Sequence, residues 1–262
     1  MKGFIQIFTI FLITLSSCEI NQEINQEIEP IALDEVRELL KGKLFTPEGK
    51  LKSIDSYQFE IESHVGRQDW YYDETGKVVL TLGINENDTS GVSLYFYNSS
   101  GLLVQRKSYQ KRNGDFEYDG SVFLEYDGNG KLVKELNKDK KLIRSHSYNE
   151  KGLLVLTQYG ENQDMEKEIY EYDEFDRIFK YTYIGGGESP ILLYYYRYNS
   201  LNQLEAKEAY GLGSSIREDA FRYFYNDSGQ LIEEREYSPQ WGFEPRFRKI
   251  YEYYPKTLIS EN

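Results

Sequence analysis

The chain predicts an all-β fold: an elongated, coiled antiparallel meander of about eight β-hairpin repeats, preceded by one short helix. Three observations carry that expectation. Aromatic residues reach 16%, with 25 Tyr against 14 Phe, while the apolar fraction is only 39%. Tyrosine has an apolar ring and a polar tip, so this balance suits half-covered sheets better than a thick dry core. A turn-forming unit recurs along most of the chain. Its recurrences are spaced as in a repeat array.

The first element is an export leader. Met1 and Lys2 give a short basic start, and Phe4 to Leu15 form an apolar stretch broken by Gln6, Thr9 and Thr14. As a helix this stretch rises about 18 Å, short of a bilayer core of about 30 Å. It reads as a signal-peptide core and not as a transmembrane span. It runs into Leu15-Ser16-Ser17-Cys18, and Cys18 is the single cysteine.

That tetrapeptide resembles the lipobox of bacterial lipoprotein signal peptides. The resemblance implies cleavage between Ser17 and Cys18, removal of 1–17, and acylation of Cys18. The lipid bilayer is then a partner, and the mature protein is anchored to a bacterial envelope membrane, the outer membrane being the expected one. Residues 18–32 continue as a polar, low-complexity tether. Leu33, Val36, Leu39 and Leu40 fall at helical spacing before Gly42, which predicts a short helix over 33–43.

Residues 44–262 form the repeat domain. Each unit reads aromatic, Asp or Asn, two variable residues, Gly, Asp or Asn, one variable residue, then an aliphatic. It occurs as Tyr72-Asp73-Glu74-Thr75-Gly76-Lys77-Val78, and again from Tyr97, Tyr126, Tyr148, Tyr172, Tyr198 and Tyr225, with a forerunner from Phe45 to Leu51. Asp or Asn opens a type I turn, and a left-handed residue three places later closes it as a bulged hairpin. That place holds Gly76, Gly101, Gly130, Gly152 and Gly229, and otherwise Asp176 and Asn202. Asp and Asn are the side chains that best tolerate such a backbone. The register follows: each leading Tyr faces the aliphatic six residues on, as Tyr72 faces Val78. The reverse connections are expected to be loose and unequal, at Asn85–Gly91, Gln110–Gly120, Gly185–Pro190, Gly211–Asp219 and Ser238–Pro245.

These units resemble the YD or RHS-type repeats of bacterial surface and secreted proteins, over about residues 45–254. The resemblance implies a long coiled antiparallel sheet. Large members of that family enclose toxins, but eight units are too few for that. The architecture carries over and the toxin role does not.

The same residues exclude much chemistry. A formal net charge of −13 repels phosphate backbones, so nucleic acid is not an expected partner. His64 and His146 are the only histidines, with no second cysteine, so no transition-metal site is expected. Asp127-Gly128-Asn129-Gly130 would need an acidic residue where Lys138 stands to form a calcium loop. Gly185-Gly186-Gly187 opens no helix and reads as a turn. No cofactor is expected. Strands with charges on both faces argue against a lipid-facing outer-membrane barrel.

The expected function is a non-catalytic binding or scaffolding lipoprotein whose ligand is a glycan or an envelope protein. A carboxylate-dependent polysaccharide hydrolase is the alternative, and a toxin-associated accessory protein a further one. The candidate ligand platform is the set of aromatics outside the pairing stripe: Tyr71, Phe96, Tyr195, Phe224, Trp241 and Phe243. Consecutive strand residues alternate faces, so Tyr194-Tyr195-Tyr196 must send one ring away from the stripe.

Overall fold

The computed structural model describes residues 49–58, 63–86, 88–161, 166–187, 189–210, 215–238 and 244–254. The leader, Ser17, Cys18, the tether, the expected helix over 33–43, Trp241 and Phe243 lie outside them. Sixteen strands follow in chain order: β1 Leu51–Gln58, β2 Ser63–Tyr72, β3 Val78–Asn85, β4 Asp88–Tyr97, β5 Leu103–Arg112, β6 Asp115–Tyr126, β7 Leu132–Leu136 and β8 Leu142–Tyr148. They continue as β9 Leu154–Tyr159, β10 Glu166–Tyr172, β11 Ile178–Gly185, β12 Pro190–Tyr198, β13 Leu204–Tyr210, β14 Arg217–Tyr225, β15 Leu231–Ser238 and β16 Glu244–Tyr253.

Seven repeat turns join strands at one edge. In each, the Asp or Asn amide bonds the carbonyl four residues on, and the left-handed residue donates back to it, as Asp73 N to Lys77 O and Gly76 N to Asp73 O, both 2.9 Å. The backbone is left-handed at Gly76, Gly101, Gly130, Gly152, Asp176, Asn202 and Gly229, with φ between 60° and 82°. The Tyr–aliphatic register holds at Tyr72–Val78, Tyr97–Leu103, Tyr126–Leu132, Tyr148–Leu154, Tyr172–Ile178, Tyr198–Leu204 and Tyr225–Leu231.

The overall shape corrects the expectation of an elongated open meander. β1 pairs with β16, and the sheet is a closed sixteen-strand barrel. Two features cause closure. First, every return strand carries a bulge directly after its paired aliphatic: Val79, Val104, Val133, Val155, Phe179, Glu205 and Ile232 are each the extra residue. Lys52 takes the same place in β1. A bulge bends its strand and raises the local twist, and repeated bulges curl a sheet until its edges meet. Second, the two ends of the described chain complete one more repeat. Leu51 pairs with Tyr253, Gly49 (φ 72°) donates to the Tyr254 carbonyl at 3.1 Å, and Tyr254 N donates to Lys50 O at 3.0 Å. Gly49 to Leu51, the described part of the forerunner, and Tyr253-Tyr254 are two halves of one turn.

The leading tyrosines also tie neighbouring units together. The hydroxyls of Tyr72, Tyr97, Tyr126, Tyr148, Tyr172, Tyr198, Tyr225 and Tyr253 donate to the carbonyls of Leu51, Val78, Leu103, Leu132, Leu154, Ile178, Leu204 and Leu231, at 2.7–2.9 Å. Each acceptor residue is also the ladder partner of a belt tyrosine. The belt therefore runs unbroken around the barrel, with Tyr253–Leu51 as its last link. At three turns the residue after the left-handed position reaches the next turn: Arg177 Nη1 donates to Asn202 Oδ1 at 2.5 Å, Gln203 Nε2 to Gly229 O at 3.5 Å and Gln230 Nε2 to Gly49 O at 3.2 Å.

The other edge is uneven, and two of its connections are shorter than expected. Strands β3 and β4 continue to an Asn85–Asp88 pair, and β5 and β6 to an Arg112–Asp115 pair across Asn113-Gly114. Asn-Gly with both φ positive (53° and 98°) is the two-residue turn whose twist matches a hairpin. The loops placed at Asn85–Gly91 and Gln110–Gly120 are therefore largely strand. Asn137 to Lys141, on this same edge, also folds as the bulged repeat turn, with Lys140 at φ 60°.

Burial is thin. Leu80, Leu82, Val92, Tyr109 and Phe116 form the apolar cluster, on the sheet face opposite the tyrosine belt, with Tyr71, Leu94 and Tyr118 against it.

Candidate functional site

Strand alternation gives the barrel two faces, and the register assigns each residue to one. Across β7 to β16 the belt face carries an unbroken run of polar and aromatic side chains. Glu168 on β10 stands level with Thr157 on β9, and Tyr170 with Tyr181 on β11. Tyr159, two residues beyond Thr157, shares that face. All three phenols converge on one carboxylate: Tyr159 Oη donates to Glu168 Oε1 at 2.7 Å, Tyr170 to Oε2 at 2.5 Å, and Tyr181 to Oε1 at 3.2 Å.

Burial alone would raise the pKa of Glu168. The hydrogen bonds from Tyr170, Tyr159 and Tyr181, with the charge of Arg144, outweigh it and hold the group below the ordinary glutamate range. The phenols shift upward in turn. Burial first, and the bond to Glu168 second, push Tyr159 to about 12 and raise Tyr170 further. The arrangement is an ionised acceptor fenced by neutral donors.

A second carboxylate adjoins it. Glu135 on β7 meets His146 Nε2 at 3.2 Å and Arg144 at 3.6 Å, and His146 Nδ1 lies 3.1 Å from Thr157 Oγ1. The His146 bond is the largest cause of a lowered Glu135 pKa. His146, its side chain 9% exposed, is a hydrogen-bonded member of this wall. The Arg144 guanidinium lies 5.0 Å from the Tyr159 ring centre, and its Nε is buried without a hydrogen-bond partner among the described residues.

The wall continues in the other direction. Tyr181 stacks on Tyr194 (6.2 Å, 21°), and Tyr194 meets Phe221 edge-on at 5.6 Å. The Lys207 ammonium lies 5.3, 5.4 and 5.7 Å from the centres of Tyr196, Phe221 and Tyr223, and burial pushes its pKa down. Beyond it, Lys249 donates to Glu234 at 2.8 Å.

The four described residues of the platform expected from sequence do not come together. Tyr71, Phe96, Tyr195 and Phe224 do lie on the face opposite the belt, but in two separate sectors. Tyr71 packs against the apolar cluster, and Phe96, 40% exposed, has Lys107 5.4 Å above it. Far around the ring, Tyr195 meets Tyr210 edge-on and carries Arg217 at 4.2 Å, while Phe224 carries Arg235 at 4.5 Å. Tyr195 stands level with Glu208 and Asp219 on its neighbours, whereas Phe224 is five residues further along β14. Trp241 and Phe243 fall outside the described residues. Glu168, Glu135 and Arg144 were not singled out in the sequence, where they look like any charges of an acidic β protein. Tyr159, Tyr170 and Tyr181 recurring at strand spacing was the available signal.

No metal-binding group of His, Cys, Asp and Glu is present among the described residues. No family model matches the chain, and no curated protein matches it. Solved structures show a distant likeness. The Photorhabdus luminescens Tc holotoxin pore is 16% identical over 70% of this chain and 9% of its own, with a TM-score of 0.33. A TcdB2–TccC3 structure without the hypervariable C-terminal region is 15% identical over 70% and 9%, with a TM-score of 0.35. A porin-like protein from Bacteroides uniformis is 12% identical over 80% of this chain and 100% of its own, with a TM-score of 0.36. The chain thus spans about a tenth of the toxin chains, and TM-scores this low bear on neither fold nor function.

Proposed function

We propose that this is a lipid-anchored binding module of the bacterial envelope, and that its ligand is a glycan held on the belt face of β8 to β14. The observation that carries the reading is Glu168 ringed by Tyr159, Tyr170 and Tyr181 within a continuous aromatic wall. Flat phenol rings offer rigid contact area to the faces of sugar rings. Ionised Glu168 and Glu135 supply acceptors for sugar hydroxyls, and charge-assisted bonds of that kind are the stronger ones.

The hydrolase alternative finds less support. A glycosidase needs one carboxylic acid kept protonated beside an ionised partner. Every resolved carboxylate shift among the described residues is downward: Glu135, Glu168, Asp73, Asp88, Asp173 and Glu252. A membrane-spanning barrel is also disfavoured. Spanning strands need about 9–11 residues, whereas β7 has 5 and β9 has 6. Both faces carry charge: Glu168, Lys207, Glu234 and Lys249 on the belt face, and the Lys180–Glu171, Arg197–Asp219 and Arg235–Glu233 pairs opposite. On this reading the closed barrel sits beside a membrane, held through Cys18.

Two measurements test the reading. Titration calorimetry against soluble oligosaccharides of envelope and capsule type should give binding to the mature protein, weakened at least tenfold in Tyr181→Ala. A folded wild-type protein that binds none of them removes the glycan. Cys18→Ser should abolish labelling by a fatty-acid analogue and release the protein from membranes; normal maturation and membrane retention in that variant would remove the anchor.

A further inference from the structure

A cleft of about 320 Å³ opens at the junction of β1, β2, β3 and β16. Most of its lining residues belong to the belt face, Arg67 and Ile84 excepted: Ile54 stands level with Gln68 and Tyr251, and Gln68 with Gly83. The floor is low because Gly66 and Gly83 have no side chains. A Cβ on Gly66 would approach Asn85 Oδ1 to 2.9 Å, so the glycine keeps room beside that amide. Tyr251 and Lys249 form one wall, both turned toward Glu234. Ser56, Gln68 and Asn85 line the cleft and make no side-chain hydrogen bond among the described residues.

We propose that this seam cleft is a second binding subsite, sized for one or two pyranose rings of a neutral glycan; this rests on the glycan reading above. Its chemistry fits that occupant. A glycine floor admits a flat ring, Tyr251 supplies an aromatic edge, and an amide pair with a hydroxyl supplies both donors and acceptors. Lys249 is already matched by Glu234, and Arg67 by Asp69 at 2.6 Å. The cleft therefore offers an anionic sugar no uncompensated cation. Its walls also come from opposite ends of the chain. The subsite exists only in the closed ring, so an occupant stabilises closure by mass action.

The test uses the mature protein and neutral hexose and N-acetylhexosamine oligosaccharides of two to six residues, followed by calorimetry and thermal melting. Gln68→Ala and Asn85→Ala remove exposed amides without touching the belt, and Gly83→Leu fills the floor. Each should raise Kd at least fivefold and reduce the ligand-induced rise in Tm, with the unliganded Tm of the two alanine variants unchanged. If Tyr181→Ala abolishes binding while Gln68→Ala and Asn85→Ala leave Kd unaltered, the seam cleft is no subsite and the glycan reading stands. If the wild-type protein binds no oligosaccharide, both fall.

Discussion

The two edges of the barrel obey different rules. At the belt edge, seven turns and the split closing turn share one hydrogen-bond pattern, and eight tyrosines join them into a ring. At the other edge the connections range from Asn113-Gly114 to the longer spans after Gly160 and Tyr210. The difference teaches where the fold is specified. A left-handed residue, a bulge and a hydroxyl reaching a neighbour's carbonyl must all agree at the belt edge, so substitution there is constrained. The opposite edge has only to reverse the chain, and loop length costs little entropy.

Alkali should break the comparison most strongly. The belt tyrosines Tyr72, Tyr97, Tyr126, Tyr148, Tyr172, Tyr198, Tyr225 and Tyr253 all have pKa values raised by burial, Tyr72 to about 12. A group whose folded pKa exceeds its unfolded value of about 10 stabilises the fold fully below that value and loses this as pH rises toward the folded pKa. The barrel should therefore melt cooperatively between about pH 10 and 12, with a step in phenolate absorbance from the belt tyrosines in the same transition. An intact barrel with its full phenolate absorbance developed above about pH 12 would show that the hydroxyls are not holding it.

Next in size, Gly130→Val forces a β-branched residue into a backbone at φ 78° and should cost about 1–3 kcal/mol. Gly130→Asn should cost a few tenths, because Asn tolerates that region and Asn202 already occupies it at φ 64°. Equal denaturant midpoints for the two variants would contradict the turn. Smaller again, Tyr198→Phe removes the donor to Ile178 O and should cost about 1 kcal/mol. Tyr183→Phe, a belt-face tyrosine outside the belt, should cost less, and a reversed order would deny the belt its special role. The smallest effect is expected from a Gly-Ser insertion between Asn113 and Gly114, about 0.5 kcal/mol or less. The same insertion between Asn129 and Gly130 should rank with Gly130→Val.

The belt edge was legible in the sequence because left-handed positions accept few residue types. Gly76, Asp176 and Asn202 announce the turn and thereby fix the register. The bulges were not legible. Val79, Phe179, Glu205 and Lys52 share no chemistry, since a bulged residue needs only to be left out of the ladder. Closure was hidden for the same reason, and because Leu51 and Tyr253 are joined across almost the whole described chain. Asn113-Gly114 carries the two-residue hairpin signal inside the span Gln110–Gly120 expected as a loop. The site was half legible: the tyrosines stood out by number, but no local pattern marks Glu168 as the carboxylate on which three of them converge.

The split turn makes the described chain circular in all but covalent bond. Gly49 N and Tyr254 O are 3.1 Å apart, so the two ends could be spliced through a short linker in the manner of the other seven turns. Strand order around the ring would be unchanged, and new ends could be cut at Asn113-Gly114. The barrel is thus a cyclic arrangement for which Leu51 is one starting point among several.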